Sequence, residues 1–160
     1  MDLWKCRKWQ ANPSNSFGKT GLRFRVEKDV DFEVRRACLD FAKWLRKEYM
    51  FPSRVTVYIK SSYYIRGQNG DNMYGTCWRP ADKTQNSYIR ISTGDYDELL
   101  SSRGRDNALT TILFCIAIML THYYQWLTDM DDLTEKEEVA QAERHAKRIL
   151  SNYSKTRDHP

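Results

Sequence analysis

His122 is the residue of this chain whose type and surroundings come nearest to a chemical site. It lies in the run Ile116-Ala117-Ile118-Met119-Leu120-Thr121-His122-Tyr123-Tyr124-Gln125-Trp126. A histidine on an apolar helix becomes a zinc ligand when a second histidine stands one turn earlier on the same face. A glutamate beside that first histidine then serves as general base, in the spacing H-E-x-x-H. Here Ile118 and Met119 occupy those two places. Neither can hold a hard or borderline metal or move a proton, so the run has the frame of a hydrolytic zinc helix without its working groups.

The other candidates are few. The chain has three histidines. His145 and Gln141 stand one helical turn apart on a later segment and could hydrogen-bond His122. A lone histidine on an apolar helix is more often a hydrogen-bonded core residue than a ligand. A metal site of His122, Glu143 and His145 is disfavoured, because residues 143 and 145 point to different faces of one helix. Cys115 lies two turns before His122, roughly 10 Å by helix rise, too far for a nucleophile and its base. Asp129, Asp131 and Asp132 read as a solvated acidic loop. The chain contains no G-x-S-x-G, no G-x-x-x-x-G-K-[ST] and no G-x-G-x-x-G.

These residues need elements to position them. Asp31 is an expected cap for a helix from Phe32 to about Tyr49, with Val34, Cys38, Phe41 and Leu45 on its buried face. Val55, Val57 and Ile59 alternate with polar neighbours as a half-buried strand. Gly67 to Asn72 is turn chemistry. Tyr74–Trp78 and Tyr88–Ser92 read as two short strands, separated by a loop from Pro80 to Asn86. Gly94 to Gly104 reads as a polar connection. Asp106 is the expected cap of a long helix through Trp126, and a last helix spans Glu135 to Tyr153. Its stripe is Val139, Ala142, Ala146, Ile149 and Tyr153, with acidic residues in the first turn and basic residues later, as the helix dipole favours.

Composition fits one globular domain: 41% of the 160 residues are hydrophobic and 29% charged. The longest unbroken apolar run, Ile112 to Leu120, falls far below the roughly 20 residues that span a bilayer, so no membrane association is expected. The first residues lack the apolar stretch of a signal peptide, and four scattered cysteines without a C-x-x-C pair suit a reducing cytoplasm. The net charge is +5, and residues 1–25 carry all of that excess. Trp4, Lys5, Arg7, Lys8 and Trp9 interleave aromatic and basic groups there, a pattern that could clamp and stack on a nucleic acid; packing of those aromatics onto the domain is the plainer reading. The expected layout is a basic aromatic arm over residues 1–30, a domain over 31–153 and a disordered tail over 154–160, in which His159 has no role.

Three stretches together carry a resemblance: Gly104-Arg105-Asp106-Asn107-Ala108-Leu109, Ile112-Leu113, and Thr121-His122-Tyr123-Tyr124-Gln125-Trp126. They resemble the minimal zincin-type metallopeptidases and are similar to the SprT-like and ImmA/IrrE-like families. The likeness spans roughly residues 31–153 and is most specific from Gly104 to Trp126. It implies an α+β fold, a zincin-like single domain. Its parts would be an N-terminal helix, a small sheet of three strands or more, a long former active-site helix and a C-terminal helix. Active relatives hold zinc, and an extended substrate lies antiparallel along the edge strand above the metal helix.

Carried onto this chain, the resemblance puts Ile118 and Met119 at the first histidine and the glutamate, and His122 at the surviving ligand. Gln141-Ala142-Glu143-Arg144-His145-Ala146 resembles the E-A-x-x-[FY]-A segment, with Gln141 in place of the third-ligand glutamate. A neutral amide is a much weaker zinc ligand than a carboxylate. A slipped alignment would put Glu138 or Glu143 there instead. The implied protein has no intact catalytic residue and no cofactor, with His122 a weak residual metal candidate. Its expected function is that of a catalytically inactive metallopeptidase-like module, natural or engineered, that binds a peptide or protein. The alternatives are an altered active-site copy of a zinc peptidase and a nucleic-acid-binding accessory protein of a phage or mobile element, working through the arm.

Overall fold

The computed structural model describes residues 3–5, 21–129 and 132–160. A single 3-10 turn, Leu3–Lys5, comes first. Strand β1 (Leu22–Val26) alternates Leu, Phe and Val with two exposed arginines. Helix α1 (Phe32–Glu48) starts at Asp31, whose carboxylate accepts the Glu33 N–H at 2.8 Å. Strand β2 (Val55–Lys60) follows. Then comes a short antiparallel pair, β3 (Ile65–Arg66) and β4 (Asn72–Met73). Its turn needs Gly70, at φ +87°, where a side chain would be strained. Strands β5 (Gly75–Trp78) and β6 (Ser87–Ser92) precede three helices: α2 (Tyr96–Arg103), α3 (Arg105–Leu127) and α4 (Glu135–Ser154).

The fold is mixed α+β. The main sheet has the order β1-β2-β6-β5; the first three strands are parallel and β5 runs antiparallel to β6 at one edge. Val55, Val57, Ile59, Ile89 and Ile91 point from the sheet into a core shared with α1, α3 and α4. Helix α3 is the centre of that core and packs against α4, α2, α1 and the sheet. By length and composition it could span a bilayer, but over half of its apolar window is buried in the fold. A helix apolar on nearly all sides is what a central position demands.

Several sequence expectations change. The stretch read as an arm over residues 1–30 contains β1. Trp4 is fully buried and donates its indole N–H to Thr121 Oγ1 at 3.1 Å, between the rings of Tyr49 and Tyr124. It cannot stack on a base. Lys5 is exposed and lies over the Tyr49 ring, while Arg7, Lys8 and Trp9 fall outside the described residues. The connection from Gly94 to Gly104 contains α2. Gly104, not Asp106, caps α3, and Asp106 instead pairs with His159 at 2.8 Å. The tail read as disordered folds back: the Pro160 carbonyl accepts from Arg36 at 2.8 Å, and Arg157 lies over the Tyr153 ring. Val139, assigned to the packed stripe, is 46% exposed.

Trp4→Ala should destabilise the fold by about 3–5 kcal/mol, the usual cost of emptying a buried tryptophan site. Urea unfolding measures it, and a loss near zero would return Trp4 to the surface.

Candidate functional site

The second half of α3 is apolar in position yet polar in content, and each polar side chain must find a partner away from water. Thr121 Oγ1 donates to the Ala117 carbonyl at 2.8 Å while accepting from Trp4. Tyr123 donates to the Ser53 carbonyl, Tyr124 to the Met50 carbonyl, and Trp126 to the Pro80 carbonyl. The run thus ties α3 to the N-terminal turn, the α1–β2 loop and the β5–β6 loop.

His122 and Gln125 complete the series toward α4. Gln125 Nε2 donates to the Glu138 carbonyl at 3.0 Å and to Gln141 Oε1 at 2.8 Å. Both partners are acceptors, which fixes the amide orientation, so Gln125 Oε1 faces His122 Nδ1 at 2.7 Å as an acceptor. The network therefore assigns the proton to Nδ1 and leaves Nε2 as a bare acceptor. Burial lowers the His122 pKa below its ordinary 6.5; Arg79 lowers it further, while the Gln125 bond and Glu138 oppose. His122 is neutral at pH 7.

Of the four positions the resemblance singles out, Met119 and His122 share one groove. His122 and Met119 line a hollow of about 470 Å³, walled by Gly75 to Cys77 on one side and by Glu138 and Val139 on the other. Met119 continues into a second, more apolar hollow of about 300 Å³ toward α2, lined by Ile118, Cys115 and Leu99. Gly75 allows this arrangement: a Cβ there would sit 2.9 Å from Cys115 Sγ and 3.3 Å from Met119 Cγ. Arg79 and Glu138 form an ion pair of 2.8 Å beside the groove. Met119 is half-buried at the cleft. Ile118 turns to the α2 side, and Gln141 meets His122 through Gln125. Glu138, the alternative third-ligand position, instead pairs with Arg79 at the groove, while the bridging Gln125 and Arg79 carried no sequence signal as site residues.

Other expected contacts resolve differently. His145 accepts from Arg148 through Nδ1 at 2.5 Å rather than partnering His122. Glu143 is exposed. Asp129 pairs with Lys83, and Asp131 lies outside the described residues. Burial pushes the Cys77 and Cys115 thiols up to about 12, so neither is a ready nucleophile.

Zinc does not fit the residues present. Among the described residues no three His, Cys, Asp or Glu side chains converge on a point where a metal could sit. Ile118 and Met119 supply no donor, and the Gln141 amide oxygen is already engaged by Gln125.

The edge strand beside the groove is open. The Ser92 N–H donates to the Tyr74 carbonyl at 2.9 Å. Antiparallel alternation then turns the main-chain groups of Thr76 and Trp78 toward β6, and those of Gly75 and Cys77 toward the free side. No described strand pairs with that side.

Protonation of His122 opposes folding. The unfolded chain takes up this proton near pH 6.5 and the folded chain only at lower pH, so stability is intact above 6.5 and falls as pH drops toward the folded value. Between pH 7 and 5 the wild type should lose more unfolding free energy than His122→Gln; identical pH curves would contradict the assignment.

Comparison with protein-family models, curated proteins and solved structures finds no match to this chain.

Proposed function

We propose that this chain is a zincin-like domain whose metal site has been dismantled, and that it serves as a binding module for an extended peptide. The observation that carries the reading is the placement of Met119 and His122 directly beside the free edge of β5. In the families the sequence resembles, substrate lies antiparallel along such an edge above the metal helix. Among the described residues no strand pairs with the outward N–H and C=O groups of Gly75 and Cys77, which a peptide would use by strand addition.

The state of His122 supports the same history. Metal-binding histidines fix their tautomer by donating the other ring N–H to an oxygen, leaving one bare nitrogen for the metal. His122 keeps that arrangement through Gln125. Ile118 and Met119 fill space where donors would stand, which removes the cost of burying unpaired polar groups in a metal-free floor. No hydrolytic step follows, because the position of the general base holds a thioether and the nearby thiols stay protonated.

Two measurements test this. Zinc analysis of dialysed protein should find far less than one equivalent. Peptides selected from a random library on the full chain should slow amide exchange at Gly75 and Cys77. Tightly held stoichiometric zinc, or selected peptides that protect other amides and leave these two unchanged, would overturn the reading.

A further inference from the structure

The sheet has a second surface, which shares Gln68, Thr76, Cys77 and Arg79 with the peptide groove and otherwise lies outside it. Side chains in register across strands share a face. Arg23, Thr56, Tyr88 and Trp78 form one outward row, and Arg25, Tyr58, Arg90 and Thr76 form the next. The core valines and isoleucines point the opposite way. Parallel strands are ordinarily covered on both faces. Here the helices share one core with the inner face, while on the outer face Arg23 and Arg25 stay exposed and Trp78 and Tyr88 remain 39% and 37% exposed.

The chemistry of that face is one-sided. No Asp or Glu occurs in any of the four strands of the sheet. Lys60 is neutralised by Glu27 at 3.5 Å, which leaves Arg23, Arg25 and Arg90 as its cations. Arg90 spends one N–H on the Arg66 carbonyl at 3.3 Å, and its buried Nε has no partner. The aromatic rings form a connected but not coplanar platform. Trp78 stacks on Tyr88 at 6.2 Å and 23°, and Tyr58 meets Tyr88 edge-on at 6.3 Å. A cavity of about 320 Å³ opens where Trp78, Tyr88 and Arg90 face Gln68 of the β3–β4 turn. Cross-strand pairing accounts for the Trp78–Tyr88 contact. It does not account for rings left exposed on a face whose strands carry no acidic residue.

We infer that this outer face binds single-stranded nucleic acid, with bases stacked on Trp78, Tyr88 and Tyr58 and phosphates on Arg23, Arg25 and Arg90. Flat rings accept any base, and exposed cations follow a backbone. A duplex keeps its bases stacked on each other and cannot use the platform. The site therefore relocates nucleic-acid binding from the N-terminal residues, where Trp4 is buried, to the sheet.

Fluorescence anisotropy of a labelled oligothymidylate with the full chain tests this. Trp78→Ala and Tyr88→Ala should each weaken binding about tenfold, and Tyr88→Phe should retain it. Arg23→Ser with Arg25→Ser should flatten the log affinity–log salt slope by about 1.4. Those arginines lie on β1, at the far edge from β5, so peptide capture should survive in that variant and the two binding activities fail separately. The inference is overturned by absence of binding at low salt, by equal affinity for duplex, or by unchanged binding in both alanine variants. It is equally overturned if Arg7→Ser with Lys8→Ser abolishes binding while the sheet variants keep it. Thermal unfolding of each variant confirms that the exposed substitutions leave the fold intact.

Discussion

Six consecutive residues, Thr121 to Trp126, carry polar side chains in buried or half-buried positions, and the rest of the structure is arranged so that each has a hydrogen-bond partner. An unsatisfied buried donor or acceptor costs on the order of 1–3 kcal/mol, so a fold of ordinary stability could not leave several of them orphaned. Trp4, the Met50–Ser53 loop, the Pro80 carbonyl and the first turns of α4 each come to α3 to supply a partner. The helix is thus both the hydrophobic centre and the polar anchor of the domain.

On the proposed reading, the same constraint explains what would fill the place of a metal. A zinc site is a set of lone pairs aimed at one point, and removing the ion leaves those lone pairs to be satisfied otherwise. In this chain two positions are apolar and need nothing. The third and fourth, His122 and Gln141, are joined by Gln125, whose amide has the donors and the acceptor needed to close both contacts. Neutral groups throughout make the floor of the groove cheap to bury. The two proposed recognition surfaces lie outside this floor: the edge of β5 and the outward arginine and aromatic rows of the sheet.

Much of the scaffold was legible where a local rule governs it. Asp31 as a cap, the alternation of Val55, Val57 and Ile59, and the stripe of Ala142, Ala146, Ile149 and Tyr153 are all as read. β1 has a clean alternation of Leu22, Phe24 and Val26, but its intervening arginines give the segment the composition of a basic arm. α2 carries almost no amphipathic pattern and owes its helix to packing against α3. The burial of Trp4 and the return of His159 to Asp106 are tertiary events with no local signature. At the site, the proximity of His122 and Gln141 was suggested by the resemblance, and the structure joins them through Gln125. Gln125 did not, since its role depends on which way two other side chains face. The rows of the outer sheet face were likewise invisible until the strand register was known.

The most direct test of the central claim is zinc titration of the triple variant Ile118→His, Met119→Glu, Gln141→Glu, followed by calorimetry with thermal unfolding in parallel. If α3 and α4 are the ligand helices of a dismantled zincin, the variant should take up one equivalent of zinc and unfold at a higher temperature with metal than without. A variant that folds but binds zinc no better than the wild type would contradict the account.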